Sequence, residues 1–217
     1  MKLNTARLLS SLLAATALTA SLSACAPLLF GGAAVGTLVA TDRRTSGAQL
    51  EDEGIELRAA SRLRDALGER GHVNVTSYNR QVLLTGEVPS EQAKQLVEQT
   101  VSRVENVRAI VNELGVMGNS TLGQRSSDVL VTGKVKASLV DARDLYANAF
   151  KVVTERGTTF LMGRVTQREA DRATAITRTV GGVQRVVRIL EIISEEELQR
   201  MLPQPSQPAA AASAPKN

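Results

Sequence analysis

Residues 82–88 (VLLTGEV) decide the fold, because the same pattern returns at residues 159–165 (TFLMGRV). Each segment is rich in β-prone residues and carries a glycine, Gly86 or Gly163, at its fifth position. Similarity of this kind at a fixed offset indicates a duplicated structural unit. A glycine inside a strand usually marks a bulge or a close backbone approach. We therefore expect both glycines to be structural, leaving room for the helix that follows, and not to bind a ligand.

A helix is predicted after each copy, because apolar residues recur there at helical spacing. In the first copy Ser90 stands at the expected N-cap, before a face formed by Ala93, Leu96, Val97, Thr100, Val101 and Val104. In the second copy Thr166 and Glu169 form a capping box, and the face continues through Ala170, Ala173, Thr177 and Val180.

The same elements flank the glycine-bearing strand in both copies. A helix and a strand precede it, at residues 53–67 and 73–77 and again at 128–142 and 150–155. A β-rich run follows, at residues 107–114 and 183–193. Each unit therefore reads α-β-β-α-β, which predicts an α+β fold with two helices packed on a small mixed sheet.

These patterns divide the chain after residue 50. We predict one domain at residues 51–118 and another at 126–194, joined by a linker at 119–125. A short C-terminal helix is predicted at residues 195–202, where Ser194 and Glu197 form a capping box. Residues 203–217 contain four prolines and five alanines, which is typical of a disordered tail.

The N-terminus is typical of a bacterial lipoprotein precursor. Lys2 and Arg7 precede an uncharged segment at residues 8–22, and the sequence Leu22-Ser23-Ala24-Cys25 resembles the lipobox read by lipoprotein signal peptidase. We predict that residues 1–24 are removed and that the Cys25 thiol carries a diacylglycerol. Cys25 is the only cysteine in the chain, which excludes an internal disulfide. The alternative is an ordinary secretory signal with a chance cysteine.

Residues 25–50 are expected to form the lipidated N-terminus and a linker. The apolar stretch at residues 27–40 is interpreted as a linker close to the bilayer, with a buried hairpin as the alternative. In enteric-type lipoproteins, Asp after the lipidated cysteine retains the protein at the inner membrane. Ala26 follows Cys25 here, so the resemblance implies an outer-membrane lipoprotein facing the periplasm.

The duplicated arrangement resembles the bacterial OsmY and nodulation (BON) domain. In the first copy the resemblance rests on Val82, Leu84, Gly86 and Val88, followed by Val107, Ile110, Val111, Asn112 and Leu114. In the second copy it rests on Phe160, Leu161, Gly163 and Val165, followed by Val183, Val186 and Val187. Together with the lipobox, it is closest to the dual-BON, division- and outer-membrane-stress-associated lipid-binding lipoproteins. The second copy departs from the pattern at Gly181-Gly182 and at Arg188, which stands where the first copy has Asn112.

No catalytic, cofactor or metal site is predicted. His72 is the only histidine, and without Cys or a second His nearby it does not suggest a zinc site. Residues 31–36 lack the spacing of a dinucleotide-binding loop, and residues 132–134 lack the rest of a P-loop. The acidic run at residues 195–197 is interpreted as a helix start. We therefore predict that the protein is not an enzyme and binds no small-molecule substrate.

Charge distinguishes the two copies. Residues 51–118 contain 8 basic and 11 acidic residues, whereas residues 125–193 contain 12 basic and 7 acidic residues. A basic exported domain beside a membrane favours anionic phospholipid as its partner. Nucleic acid, the usual partner of basic surfaces, is absent from the periplasm. A merely solvated surface that favours solubility is the alternative.

The sequence is consistent with two functions, and a third ranks below them. The first is anionic phospholipid binding through the second domain, in support of outer-membrane integrity. The second is a scaffold that binds other envelope proteins. A chaperone-like role in the periplasm is suggested by other BON proteins.

The candidate lipid-binding residues lie on the first helix of the second copy. With Asp128 as N-cap, the helix is expected to bury Val131, Val135, Leu139 and Ala142. The phospholipid-binding residues are then predicted to be Val129, Leu130, Gly133, Lys134 and Lys136. The resemblance implies that this helix contacts lipid, although it lacks the aromatic residue expected there. The alternative is that Val129 and Val140 pack against the first copy while the lysines are solvated.

Overall fold

Each copy of the repeated segment is the central strand of its own sheet. The structure is a computed structural model that describes residues 42–68 and 70–201. The predictions for the signal peptide, for Cys25, for residues 27–40 and for the tail at 203–217 lie outside the described residues.

The first domain follows the predicted α-β-β-α-β order. Its elements are α1 (Ser46–Leu67), β1 (His72–Tyr78), β2 (Gln81–Val88), α2 (Glu91–Ser102), β3 (Ala109–Asn112) and the short β4 (Gly115–Val116). Strand β2 pairs antiparallel with β1 and parallel with β3 and β4. The sheet is therefore mixed, as predicted.

The second domain repeats this order. Its elements are α3 (Leu122–Asp141), a 3₁₀ turn (Ala147–Ala149), β5 (Phe150–Glu155), β6 (Thr158–Thr166), α4 (Gln167–Thr179) and β7 (Arg185–Ile193), followed by α5 (Glu195–Met201). Strand β6 pairs antiparallel with β5 and parallel with β7. Helix α4 begins with the predicted capping box of Thr166 and Glu169, and Ser90 caps α2.

The two sheets meet through the faces that their own helices leave uncovered. Side chains alternate along a strand: Val82 and Leu84 pack against the helices of the first domain, whereas Leu83 packs in a separate cluster with Phe160 and Met162. Tyr78 and Ile189 complete this cluster. The order of layers is therefore helices, sheet, sheet, helices. The sequence predicted two units of two layers each but did not predict that the two sheets pack against each other.

Gly86 and Gly163 give room to the backbone of a segment beside their strand, namely β1 for Gly86 and the 3₁₀ turn before β5 for Gly163, so the expectation that they make room for the following helix is wrong. A Cβ on Gly86, whose φ is +111°, would lie 2.0 Å from the carbonyl oxygen of His72. A Cβ on Gly163 would lie 2.4 Å from the carbonyl oxygen of Ala149. Backbone atoms cannot move aside as a flexible side chain can, which explains the glycine in both copies.

A buried aspartate in the first helix of each domain holds the turn of the adjacent hairpin. The Asp52 carboxylate accepts hydrogen bonds from the backbone N–H groups of Asn79 and Arg80, at 2.7 and 2.8 Å. The Asp128 carboxylate accepts those of Arg156 and Gly157, at 2.8 and 3.0 Å. The prediction of Asp128 as an N-cap is therefore wrong, because its carboxylate serves a turn distant in sequence.

Two helices begin earlier than predicted. Helix α1 starts at Ser46 with Thr45 as its N-cap, so the end of the predicted linker at residues 25–50 is helical. Helix α3 starts at Leu122, where Thr121 and Gln124 form a complete capping box. The predicted linker at residues 119–125 is consequently shortened to the few residues before Thr121.

Two consecutive arginines connect the segment before α1 to both domains. Arg43 makes a bidentate ion pair with Glu169, at 2.6 and 2.7 Å, and donates a further hydrogen bond to the carbonyl of Arg164. Arg44 pairs with Asp52 at 2.8 Å, and its guanidinium lies over the Tyr78 ring, 4.5 Å from the centroid. We call Arg43 and Arg44 the arginine clasp.

Candidate functional site

Helix α3 has two apolar faces, one buried and one exposed. The buried face contains Val131, Val135 and Leu139, which contact the core of the second domain, and Ala142 packs partly buried against the same cluster. This confirms the expected core face. The match holds despite the wrong N-cap, since helical periodicity depends on spacing and not on where the helix begins.

The opposite face exposes large aliphatic side chains. Leu122, Val129, Leu130 and Val140 are 79%, 70%, 66% and 67% exposed. At about 100° per residue, Leu122, Val129 and Val140 recur within about 20° of one line along the helix. We call these four residues, with Gly133, the apolar stripe. Because Val129 and Val140 are exposed, the alternative in which they pack against the first domain is wrong.

Lys134 and Lys136 lie on the two sides of the apolar stripe. At about 100° per residue, Lys136 falls about 40° to one side of its line and Lys134 about 120° to the other. Both lysines and Gly133 are exposed. All five predicted lipid-binding residues are therefore at the surface, and their contact with lipid stays a prediction.

Leu122 is not among the lipid-binding residues predicted from the sequence. With Asp128 as the expected N-cap, Leu122 falls in the predicted linker at residues 119–125. The signal that could have found it is Thr121-x-x-Gln124, a capping-box pattern at the true helix start. With Leu122 the exposed apolar face extends about two turns further toward the N-terminus of α3.

Within residues 42–68 and 70–201, no helix is long and apolar enough to cross a membrane. An interfacial helix lies in the plane of the headgroups, with its apolar side chains at the acyl boundary and its cationic side chains near phosphate.

A cluster of titratable side chains lies where the two domains meet. Ligand atoms of His72, Glu87 and Glu155 all lie within 4.8 Å of one another. We call these three residues the interdomain cluster. The sequence has no Cys or second His near His72, but the fold brings two carboxylates to it from distant positions in the chain. These are residues of the described chain that could hold a metal ion.

The two carboxylates of the interdomain cluster differ in their electrostatics. Burial, and after it the charge of Glu87, raise the pKa of Glu155. Burial also acts to raise the pKa of Glu87, but hydrogen bonds from Ser120 and Arg156 outweigh it and hold that pKa below its ordinary value. Glu87 is therefore held as a negative charge, whereas Glu155 accepts a hydrogen bond from the neutral amide of Asn74 and forms no ion pair among the described residues.

Comparison with known proteins identifies the duplicated unit. The family model described as BON domain matches residues 52–118 and 127–193. The chain is 37% identical over 196 residues to "Outer membrane lipoprotein DolP" of Haemophilus influenzae, covering 89% of this chain and 100% of that protein. It is 34% identical over 154 residues to "21 kDa hemolysin" of Actinobacillus pleuropneumoniae, covering 70% of this chain and 79% of that protein. Neither name describes an enzyme.

Among solved structures, the C-terminal domain of CdsD, described as a structural protein of the type III secretion system of Chlamydia trachomatis, is similar to part of the chain. The match has a TM-score of 0.28 and 11% identity, and it covers 62% of this chain and 96% of that one. A likeness this distant carries no functional argument.

Proposed function

We propose that this chain, which belongs to the BON domain family and is an outer-membrane lipoprotein with two BON domains, binds anionic phospholipid through helix α3. The observation that carries the proposal is the apolar stripe between Lys134 and Lys136. Through this contact the protein would support the integrity of the outer membrane.

The exposed aliphatic groups are the first support. Soluble proteins rarely expose large contiguous apolar patches, and such patches commonly mark protein or membrane contacts. Here four large aliphatic side chains, each at least 66% exposed, share one side of a single helix. Burial of a leucine or valine side chain contributes about 1.5–3 kcal/mol, so partial insertion of the stripe offers a substantial driving force.

The charge distribution is the second support. The stripe is bordered by lysines, and the domain that carries it has 12 basic and 7 acidic residues between positions 125 and 193. Each cation near an anionic membrane surface contributes about 1 kcal/mol at moderate salt. An uncharged membrane surface would not attract these lysines.

The test is flotation of a soluble form beginning at Thr41 with zwitterionic vesicles, with and without anionic phospholipid. The described residues belong to one compact unit, and the three apolar clusters found among them lie within it. Starting at Thr41 also removes Cys25, whose lipid would carry the protein into any vesicle. We expect binding that requires anionic lipid and falls as salt increases.

Matched variants separate a specific surface from general charge. Lys134→Glu with Lys136→Glu should abolish binding without lowering the melting temperature, because both lysines are exposed. The loss of two cations alone is expected to cost about 2 kcal/mol, or about 30-fold in affinity. Arg103→Glu with Arg108→Glu makes the same charge change on exposed positions of the first domain and should retain binding. Equal losses in the two double variants would contradict the assignment to α3.

Leu130→Asp tests the apolar part of the contact. It should weaken binding at every salt concentration, because it removes an inserting side chain as well as adding charge. Binding by Leu130→Asp that is restored to the unmodified level at low salt would show that insertion plays no part.

We also propose that Cys25 is the acylated residue. The proposal rests on the lipobox-like sequence Leu22-Ser23-Ala24-Cys25 and on the outer-membrane lipoprotein to which the chain is similar. Cys25→Ser should leave an unprocessed precursor or a soluble periplasmic form. Mass spectrometry of the membrane-extracted native protein checks this directly, and an unmodified residue 25 would disprove it.

Protein binding through the first domain is a second candidate function. Leu50 and Leu57, 72% and 74% exposed, lie two turns apart on α1. This face also carries the exposed Glu53, and its acidic domain is less suited to an anionic membrane. Unchanged vesicle binding in the double lysine variant, together with envelope-protein crosslinks that disappear in Leu57→Asp, would favour this function.

A further inference from the structure

We propose that His72, Glu87 and Glu155, the interdomain cluster, form a binding site for one divalent metal ion of the zinc type. His72 and Glu87 are partners across the β1–β2 pair of the first domain. Glu155 ends strand β5 of the second domain. Their ligand atoms lie within 4.8 Å of one another, so modest side-chain rotation would place all three around one ion.

The histidine nitrogen that faces the cluster has no other use. His72 Nδ1 is buried and has no hydrogen-bond partner among the described residues. It lies 3.7 Å from Glu87 Oε2, which is too long for a hydrogen bond. Buried polar atoms are rarely left without a partner, and coordination of a metal ion would satisfy this one.

The carboxylates are already oriented by hydrogen bonds. Glu87, whose side chain is fully buried, accepts hydrogen bonds from the backbone N–H and the hydroxyl of Ser120, at 3.1 and 3.0 Å. Glu155 accepts one from Asn74 at 2.9 Å. Carboxylates that ligate metals are themselves commonly held in this way, which fixes the direction of their lone pairs.

The local charge balance favours a cation. Three carboxylates, those of Glu87, Glu155 and Asp128, face two guanidinium groups, those of Arg125 and Arg156. The Arg156 guanidinium lies 3.3 Å from Glu87, but no ion pair with Glu155 is recorded within the described chain. A buried carboxylate that is hydrogen-bonded but not ion-paired is costly to keep charged. A divalent ion beside Glu155 would compensate it.

The donor set and the space around it suggest the class of ion. One imidazole and two carboxylates suit zinc and related transition metals better than calcium or magnesium, which prefer oxygen ligands alone. A cavity of about 480 Å³, lined by His72, Glu155, Asn74 and Asp128 among others, adjoins the cluster. It leaves room for water to complete the coordination.

Such an ion would connect the two domains, since Glu155 comes from the second domain and the other two ligands from the first. Binding to the folded form alone stabilises that form by mass action. Zinc should therefore raise the melting temperature of the mature protein as well as bind to it.

The experiment uses the mature full-length protein in detergent, without a polyhistidine tag and after chelator treatment. Isothermal titration with Zn²⁺ should give one ion per chain. Co²⁺ as a probe should give the visible absorption bands of a nitrogen- and oxygen-ligated ion. Glu155→Gln and His72→Gln should each weaken binding at least about tenfold and remove the thermal shift.

Glu191→Gln is the matched control, because Glu191 also bridges the domains, accepting a hydrogen bond from Asn79 at 2.8 Å, but lies outside the cluster. It should bind zinc as the unmodified protein does. Circular dichroism checks the fold of each variant, and if one ligand variant is unfolded the other decides. Absence of binding at about 100 µM free zinc, or equal binding in both folded ligand variants, would overturn the proposal.

Discussion

Replacing Arg43 by Met should destabilise the protein far more than an ordinary surface substitution. The side chains of Arg43 and Glu169 are only 5% and 1% exposed. Without the guanidinium, Glu169 would remain buried with the backbone N–H of Thr166 as its main recorded donor. Removal of one partner from a buried ion pair typically costs about 3–5 kcal/mol, because the other charge is left uncompensated.

A double-variant cycle separates the ion pair from other losses. Glu169→Gln removes the charge but keeps an oxygen that can accept from Thr166. Arg43→Met combined with Glu169→Gln should therefore be more stable than Arg43→Met alone, with a coupling energy of about 2 kcal/mol or more. Urea unfolding followed by circular dichroism is the assay, since the chain contains no Trp and urea does not screen charges.

The pH dependence of the free energy of unfolding gives a second test of the Arg43–Glu169 ion pair. Burial acts to raise the pKa of Glu169, but hydrogen bonds from Arg43 and Thr166 outweigh it and hold the pKa below its ordinary value. This carboxylate therefore contributes stability above its unfolded pKa of about 4.3, which is lost as pH falls through the lower folded pKa. In Arg43→Met burial would raise the pKa instead, so the cost of the substitution should shrink between pH 7 and pH 5.

Arg168→Met is the control. Arg168 and Glu195 form an ion pair at 3.8 Å with side chains 58% and 55% exposed, and exposed pairs typically contribute less than about 1 kcal/mol. Equal destabilisation by Arg43→Met and Arg168→Met, or additive effects in the cycle, would refute the buried-charge argument.

Two further predictions concern the fold. Gly86→Ala should lower the free energy of unfolding by about 2–4 kcal/mol, because its Cβ would lie 2.0 Å from a carbonyl oxygen and its φ is +111°. The Cβ of Gly133→Ala meets nothing within 4 Å. This substitution should therefore stabilise α3 by about 0.5–1 kcal/mol, measured by thermal unfolding. Burial acts to raise the pKa of Asp52, but hydrogen bonds from Ser77, Arg80 and Arg44 outweigh it and lower that pKa. The stability lost in Asp52→Asn should therefore be full above about pH 4 and disappear as pH falls further. A stability difference that stays constant with pH would contradict the role of Asp52 as a charged anchor of the turn.

The order of elements could be predicted because it depends on local patterns. Strand β5 has the predicted bounds, Phe150–Glu155, and the Thr166 and Glu169 capping box begins α4. The misplaced start of α3 was also a local matter. The complete capping box at Thr121 and Gln124 begins the helix, and the Asp128 carboxylate instead accepts hydrogen bonds from the turn after β5.

Contacts between the two domains could not be predicted, because a local sequence pattern does not specify which distant residues it will contact. Leu83 lies between Val82 and Leu84, and a strand apolar on both sides is expected to be buried on both faces. That pattern indicates that another layer packs on the second face of the sheet, but it does not show that Phe160 and Met162 belong to that layer. The arginine clasp and the interdomain cluster depend on the same sheet-to-sheet contact, so they were beyond reach for the same reason.

The exposure of α3 follows from that contact. Because the two sheets cover each other, the helices of both domains lie on the outside, and each first helix has one face free for a partner. The two free faces then differ by charge: Leu57 on α1 shares an exposed surface with Glu53, whereas the apolar stripe on α3 lies between Lys134 and Lys136. An anionic bilayer repels the first arrangement and attracts the second. Duplication thus keeps one buried architecture, with Asp52 and Asp128 in equivalent roles, while the charges on the outer faces of α1 and α3 differ in the way that the proposed function requires.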